Sequence, residues 1–222
     1  KSIASSHGLG FHGIGSPLGK LNISEDVQIS IDGVRTAAAA AHAVGATRVR
    51  VFSFYYDSGV CPESIRTQVI DRLGSMLEVA EQSDVTLIHE NEKDIYGDTG
   101  DRCLDLAVNL PALGHCFDFS NFVQCDEDTL ECWNKLRDYV VYFDVKDAIA
   151  GSGVVVPAGE GDGRLVEIFS DAISSGYDDR FNLEPHLSAG GQFGGSTSLQ
   201  LFEVAVNALN KVLVEASVGT SE

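Results

Sequence analysis

Glu90, Asp118, Asp144 and Glu184 each close a short apolar run and open a polar loop, in the strings TLIHENE, HCFDFSNF, VVYFDVKDA and FNLEPHL. Their separations of 28, 26 and 40 residues each leave room for one strand, one loop and one helix. A parallel sheet with helical crossovers would deliver all four carboxylates to the same end of the strands. Four converging carboxylates are a donor set for a divalent metal.

Other residues near these strand ends extend the candidate site. His186 lies two residues beyond Glu184 and is read either as a substrate contact or as a hydrogen-bonded partner of the site. Lys146 lies at the mouth, where it pairs with a substrate oxyanion or phosphate or else neutralises Asp147. Phe54 and Tyr55 follow the second recognisable strand and would wall a substrate pocket, because apolar walls keep water from a reactive intermediate. Phe52 and Trp133 read as core. Arg50 shares the strand of Phe52 and needs an acidic partner if it points inward. His89 precedes Glu90, so strand alternation sends it to the opposite side, towards the outer helices, in a structural role.

Two glycine-rich stretches invite an anion-binding reading. The loop 157–163, PAGEGDG, has free backbone amides to offer, but its own Glu160 and Asp162 oppose phosphate and favour a tight turn into the next helix. The stretch 188–198, SAGGQFGGSTS, is uncharged and precedes the last helix. It reads as a contact for phosphate or another polar ligand group or as a connector.

Six strand patterns must position these residues: Leu9 to Gly15, Arg48 to Phe54, Val85 to Glu90, Leu113 to Asp118, Tyr139 to Val145 and Arg180 to Glu184. Helical patterns fill the gaps, most clearly Asp26 to Val44, Pro62 to Gln82 and Ser196 to Ala216. Alternation of this kind predicts an α/β fold with a parallel sheet and outer helices. A closed (β/α)8 barrel needs eight such units. The opening residues, KSIASSHGLGF, read like the end of a helix running into a strand.

Composition narrows the partners. The chain has 222 residues, 44% of them hydrophobic, enough for one large domain with a sizeable core. Thirty-three acids against fifteen bases give a formal charge of -18, which repels nucleic acid and anionic lipid. With only six lysines, the balance suits either a protein kept soluble in high salt or an ordinary acidic enzyme. The five cysteines form no CxxC pair and read as reduced thiols. No signal-peptide pattern and no bilayer-length apolar run is present, so the expectation is a soluble, cytoplasmic protein.

The strings GIGSPLGK, RVRVFSFY, HENEKDIYGDT, FDFSNFVQ, DVKDA, VVPAGEGDG and LEPHL occur in an order and spacing that resemble the sugar phosphate isomerase/epimerase family, the xylose-isomerase-like TIM barrels. The resemblance runs from about Gly8 to about Val214 and implies a (β/α)8 barrel whose first two βα units are lacking here. It implies a metal held by Glu90, Asp118, Asp144 and Glu184. Asp144 departs from the pattern, since the family places a histidine there. Four acids without an imidazole favour Mg²⁺ or Mn²⁺ over Zn²⁺. By the same resemblance Glu90 and Glu184 are the base and acid that move a proton next to a sugar carbonyl.

Three functions follow as expectations. The first is a metal-dependent isomerase or epimerase of a small-molecule sugar or sugar phosphate. The second is a truncated barrel that has lost its chemistry and serves as a binding or assembly module. The third, an apurinic endonuclease-like nuclease, would want a basic groove and several histidine ligands, and the chain has neither. Open sheet edges also call for a covering, met by homo-oligomeric pairing or by approach of the terminal strands in a smaller barrel.

Overall fold

A computed structural model describes residues 2–188 and 196–218. In chain order the elements are α1 (Ser2–Ser6), β1 (Gly13–Ile14), α2 (Val27–Val44), β2 (Arg48–Val51), α3 (Pro62–Gln82), β3 (Thr86–Glu90), α4 (Gly100–Asn109) and β4 (Gly114–Asp118). They continue with α5 (Phe119–Gln124), α6 (Thr129–Leu136), β5 (Val140–Val145), β6 (Asp147–Ala148), β7 (Val155–Val156), α7 (Leu165–Ser174), β8 (Phe181–Leu183) and α8 (Leu199–Val218). The six strands read from the sequence form one sheet in the order β1-β2-β3-β4-β5-β8. The fold class is α/β, with helices between the strands, as the alternation predicts. β6 and β7 make a separate antiparallel hairpin that the sequence reading did not anticipate.

The chain divides into two compact units, and the first takes residues 1–90, 94–97 and 105–115. Its strands pair in parallel, Gly13 with Arg48 and Arg50 with Ile88. The helices form where the sequence signals them. Asp26 caps α2 by accepting the Gln28 N–H at 2.8 Å, and Gly45 ends it in the left-handed region at φ 85°, a conformation that favours glycine. Pro62 opens α3 at a position where its missing N–H costs nothing. Val34, Ala37, Ala38 and Ala41 of α2 and Leu73, Met76 and Ala80 of α3 bury against Val49, Val51 and Leu87. Those three strand residues define the helix-facing side of β2 and β3, so Arg50, Ile88 and Glu90 lie on the other side.

The second unit takes residues 91–93, 98–104 and 116–222. Its core is aromatic: Phe117, Phe119, Phe122, Trp133, Phe143 and Phe169 are all buried, and Phe143 stacks on Phe181 at 5.4 Å between centroids. β5 and β8 pair in parallel, with Asp144 opposite Asn182 and Val145 opposite Leu183. Because Phe143 and Val145 belong to the core, Asp144 projects from the opposite face of β5.

Two strands are shorter than their apolar runs. Only Gly13 and Ile14 of the expected Leu9 to Gly15 pair with β2, while Leu9 and Phe11 are exposed. β2 stops at Val51 because the Phe52 N–H turns to the Leu18 carbonyl at 2.7 Å. That crossing is tight: a side-chain carbon at Gly19, whose φ is +87°, would overlap the Phe52 backbone. The GSPLGK string therefore needs its second glycine for close approach.

Candidate active site

In the second unit, Asp118 ends β4 and is fully buried. It also starts α5, accepting the Asn121 N–H on Oδ1 at 2.8 Å, the usual manner of a capping carboxylate. Asn91 clamps its backbone: the Asp118 N–H donates to Asn91 Oδ1 and Asn91 Nδ2 donates to the Asp118 carbonyl, both at 2.9 Å. Asn121 Nδ2 in turn donates to the Asn91 carbonyl at 2.9 Å. With Oδ1 and the backbone so engaged, Asp118 Oδ2 is the oxygen presented to a cation. Lys146 Nζ stands 2.8 Å from it and 3.4 Å from Glu184 Oε2.

Lys146 is thus a bridge between two site acids, and the expectation that it neutralises Asp147 is not what the structure shows. Burial pushes the Asp118 carboxyl up to about 7; the Lys146 ammonium opposes the rise and the Glu184 carboxylate adds to it. Glu184 remains about a quarter exposed, at 24%, against 7% for Lys146. His186 Nε2 lies 4.0 Å from Glu184 Oε1, which makes it a neighbour of that acid.

Asp144 lies on the same face of β5 as Lys146, two residues nearer the strand start. It accepts a hydrogen bond on Oδ1 from Asn182 Nδ2, its register partner on β8. The arrangement is layered: Asp144 faces Asn182, and one pleat further on Lys146 faces Glu184. The structure thus sets an amide against one of the Asp144 carboxylate oxygens.

In the first unit, Glu90 ends β3, almost wholly buried, with its Oε2 2.8 Å from Arg50 NH1. Arg50 has the acidic partner that burial demands, and its guanidinium lies over the Phe52 ring at 5.1 Å. His89 faces the other way. Its Nε2 is 3.0 Å from Ser53 Oγ, and that hydroxyl accepts the Gly97 N–H at 2.7 Å. Burial, with neighbouring His115 second, holds the His89 imidazole well below its ordinary range, so it serves as a neutral structural group. Phe54 does not wall a pocket: it is fully buried in the first core, under the Arg72 guanidinium at 5.1 Å. Strand alternation no longer governs it, since β2 has ended and its φ is 69°. Tyr55 is half-buried and its backbone bonds to Leu21 and Ile23.

The amides of the loop 157–163 do meet an anion, and it is the chain's own. Asp147 accepts N–H groups from Gly159, Gly161 and Gly163 and from Ala148, at 2.9 to 3.0 Å. The loop then enters α7, as a tight turn before a helix should. The other glycine-rich stretch, 188–198, lies largely outside the described residues. Sequence reasoning missed Asn91, Asn121 and Asn182 as supports of the site. Asparagine is the one signal they carried, offering a donor and an acceptor in a single planar group.

The family profile described as xylose isomerase-like TIM barrel matches residues 1–201. The chain belongs to the xylose isomerase-like TIM barrel family. No curated protein matches it by sequence. Among solved structures it is similar to a D-tagatose 3-epimerase-like protein, at TM-score 0.80 and 16% identity over 99% of this chain and 83% of the other. It resembles an L-ribulose 3-epimerase at TM-score 0.77 and 16% identity, over 98% and 80%. A third likeness is to a xylose isomerase-like TIM barrel protein from Mycobacterium smegmatis, solved with magnesium, at TM-score 0.70 and 16% identity over 99% and 77%. At these identities the likeness is one of fold. Against the eight strands of a complete (β/α)8 barrel, six strands form the parallel sheet among the described residues.

Within the second unit, Asp118 and Glu184 are candidate ligands for a divalent cation. Asp118 and Glu184 offer carboxylate oxygens, and they already share one positive charge, the Lys146 ammonium, between them. Oxygen donors suit a hard ion.

Proposed function

We propose that this protein is a divalent-metal-dependent isomerase or epimerase of a small sugar or sugar phosphate. The observation that carries the reading is the pair of strand-end carboxylates, Asp118 and Glu184, drawn onto one buried cation. Asp118 and Glu184, and Glu90 in the first unit, each occupy a position where the family resemblance expects a ligand. Oxygen-only donors favour Mg²⁺ or Mn²⁺ over Zn²⁺. The magnesium in the mycobacterial neighbour supports the same choice.

When bound, the ion would chelate a ketose carbonyl and its neighbouring hydroxyl and so ease loss of the adjacent carbon-bound proton. Glu90, paired with Arg50, would accept that proton. Glu184 is partly open to solvent and exchanges a proton from a different strand. Asp118, fixed by Asn91 and Asn121, holds position rather than moving protons. His186 steadies Glu184, and Tyr55 stays a candidate substrate contact.

Proton exchange in D₂O tests this directly, with Mg²⁺-loaded protein, a panel of ketoses and ketose phosphates, and detection by NMR. Deuterium is expected at the carbon next to the carbonyl. Chelator should abolish it, and Glu184→Gln should slow it by at least about 10²-fold, the usual contribution of a general acid or base. No exchange by the metal-loaded wild type with any substrate would overturn the assignment. A second reading, a binding module that has lost its chemistry, is favoured by the amide-bound Asp144 where the family resemblance expects histidine. It predicts calorimetric sugar binding without exchange.

A further inference from the structure

We infer that Lys146 is a built-in competitor for the metal, an internal cation that a divalent ion must expel from between Asp118 and Glu184. The inference rests on the metal-dependent reading above and extends it to how the site is loaded. Lys146 Nζ contacts Asp118 Oδ2 at 2.8 Å and Glu184 Oε2 at 3.4 Å. The remaining oxygen of Asp118 is committed to the first turn of α5, so it cannot replace Oδ2 without uncapping that helix. A bound Mg²⁺ takes its oxygens at about 2.0–2.1 Å. An ammonium on the same two oxygens would then lie within a few ångströms of a dication in a buried setting, where like charges repel strongly. Lysine and metal therefore exclude each other from these atoms.

The surroundings say why the ammonium sits there. Lys146 is 7% exposed and Asp118 wholly buried, and a buried carboxylate without a countercharge is costly. The Lys146 side chain offsets that cost and lets β4, β5 and β8 assemble without an ion. Its backbone is anchored independently of the acids. The Lys146 carbonyl accepts the Ser120 N–H at 3.1 Å, and its neighbour Asp147 is pinned by three loop amides and the amide of Ala148. Lys146 can thus release its side chain while the strand end stays in place. The expelled ammonium has four methylenes of reach and one vacated task, which leaves it at the mouth to meet an anionic substrate group.

Two measurements decide this. The first is calorimetric titration of Mn²⁺ into wild-type protein and into Lys146→Met, each first shown to be folded by circular dichroism. Removing the competitor is expected to tighten Mn²⁺ binding by about tenfold or more. Equal or weaker binding by the variant would overturn the inference and leave the metal-dependent reading standing. No binding by either folded protein would overturn both.

The second measurement is made on wild type, with the charge-conserving Lys146→Arg used only to assign the resonance, and so does not depend on Lys146→Met folding. With the six lysines carrying ¹³C at the ε carbon, Mg²⁺ should shift one resonance, the one missing from the spectrum of Lys146→Arg. A resonance that stays put while Mg²⁺ binds would show that lysine and metal share the site, against the inference.

Discussion

Asp118 concentrates the site's electrostatics in one side chain. Its carboxyl is pushed from the ordinary 3.8 up to about 7, chiefly by burial. The folded state therefore holds this proton more tightly than the unfolded chain between about pH 4 and pH 7. Over that window the folded form carries more bound protons, so this group's contribution to stability falls as pH rises. Asp118→Asn removes the titration. In chelator, the melting temperature of the variant relative to wild type should rise from pH 5 to pH 8, and a constant difference would contradict the assignment. The identity of this acid was legible in the sequence, because an aspartate ending an apolar run has few structural reasons to be there. Its partners were not. Nothing in the strings DVKDA and LEPHL says that the lysine turns to Asp118 and Glu184 while the neighbouring aspartate turns to loop amides.

The loop 157–163 shows how an element can be read correctly in outline and wrongly in partner. Glycine spacing announces a chain that exposes amides, and the amides do meet an anion. The anion is Asp147, which receives Gly159 and Gly161 on Oδ2 and Gly163 and Ala148 on Oδ1. Gly161 cannot carry a side chain here, since an added carbon would stand 2.5 Å from both Asp147 Oδ1 and the Ala148 carbonyl. Asp147→Asn replaces one accepting oxygen with a donor facing other donors. Charge-assisted hydrogen bonds are worth about 1.5–3 kcal/mol each, so the variant should lose about 3 kcal/mol in urea unfolding and become open to proteolysis within the loop. Unchanged stability would mean that the cradle holds nothing the fold depends on. Helices were read more accurately than strands. The limits of α3 follow from Pro62 and a continuous apolar stripe, whereas β2 ends where the Phe52 N–H turns to the distant Leu18 carbonyl, which no local pattern records.

Charge belongs to the molecule as a whole. With a formal -18, self-repulsion opposes compaction and salt screens it. Raising KCl from about 20 mM to about 0.5 M, beyond which the Debye length is only a few ångströms, should raise the melting temperature by several degrees. A flat response would show that the acids are already locally neutralised. No helix among the described residues is long and apolar enough to cross a membrane. The sequence alone determined the α/β alternation, the six strands and the acids that end them, because periodicity and strand-end chemistry are local properties written in residue order. Tertiary structure decided which groups those acids face. Lys146 between Asp118 and Glu184, Asp144 against Asn182, Arg50 on Glu90 and Phe54 under Arg72 are meetings of residues distant in the chain. They are set by strand register, by where each strand stops and by the requirement that every buried charge find a partner.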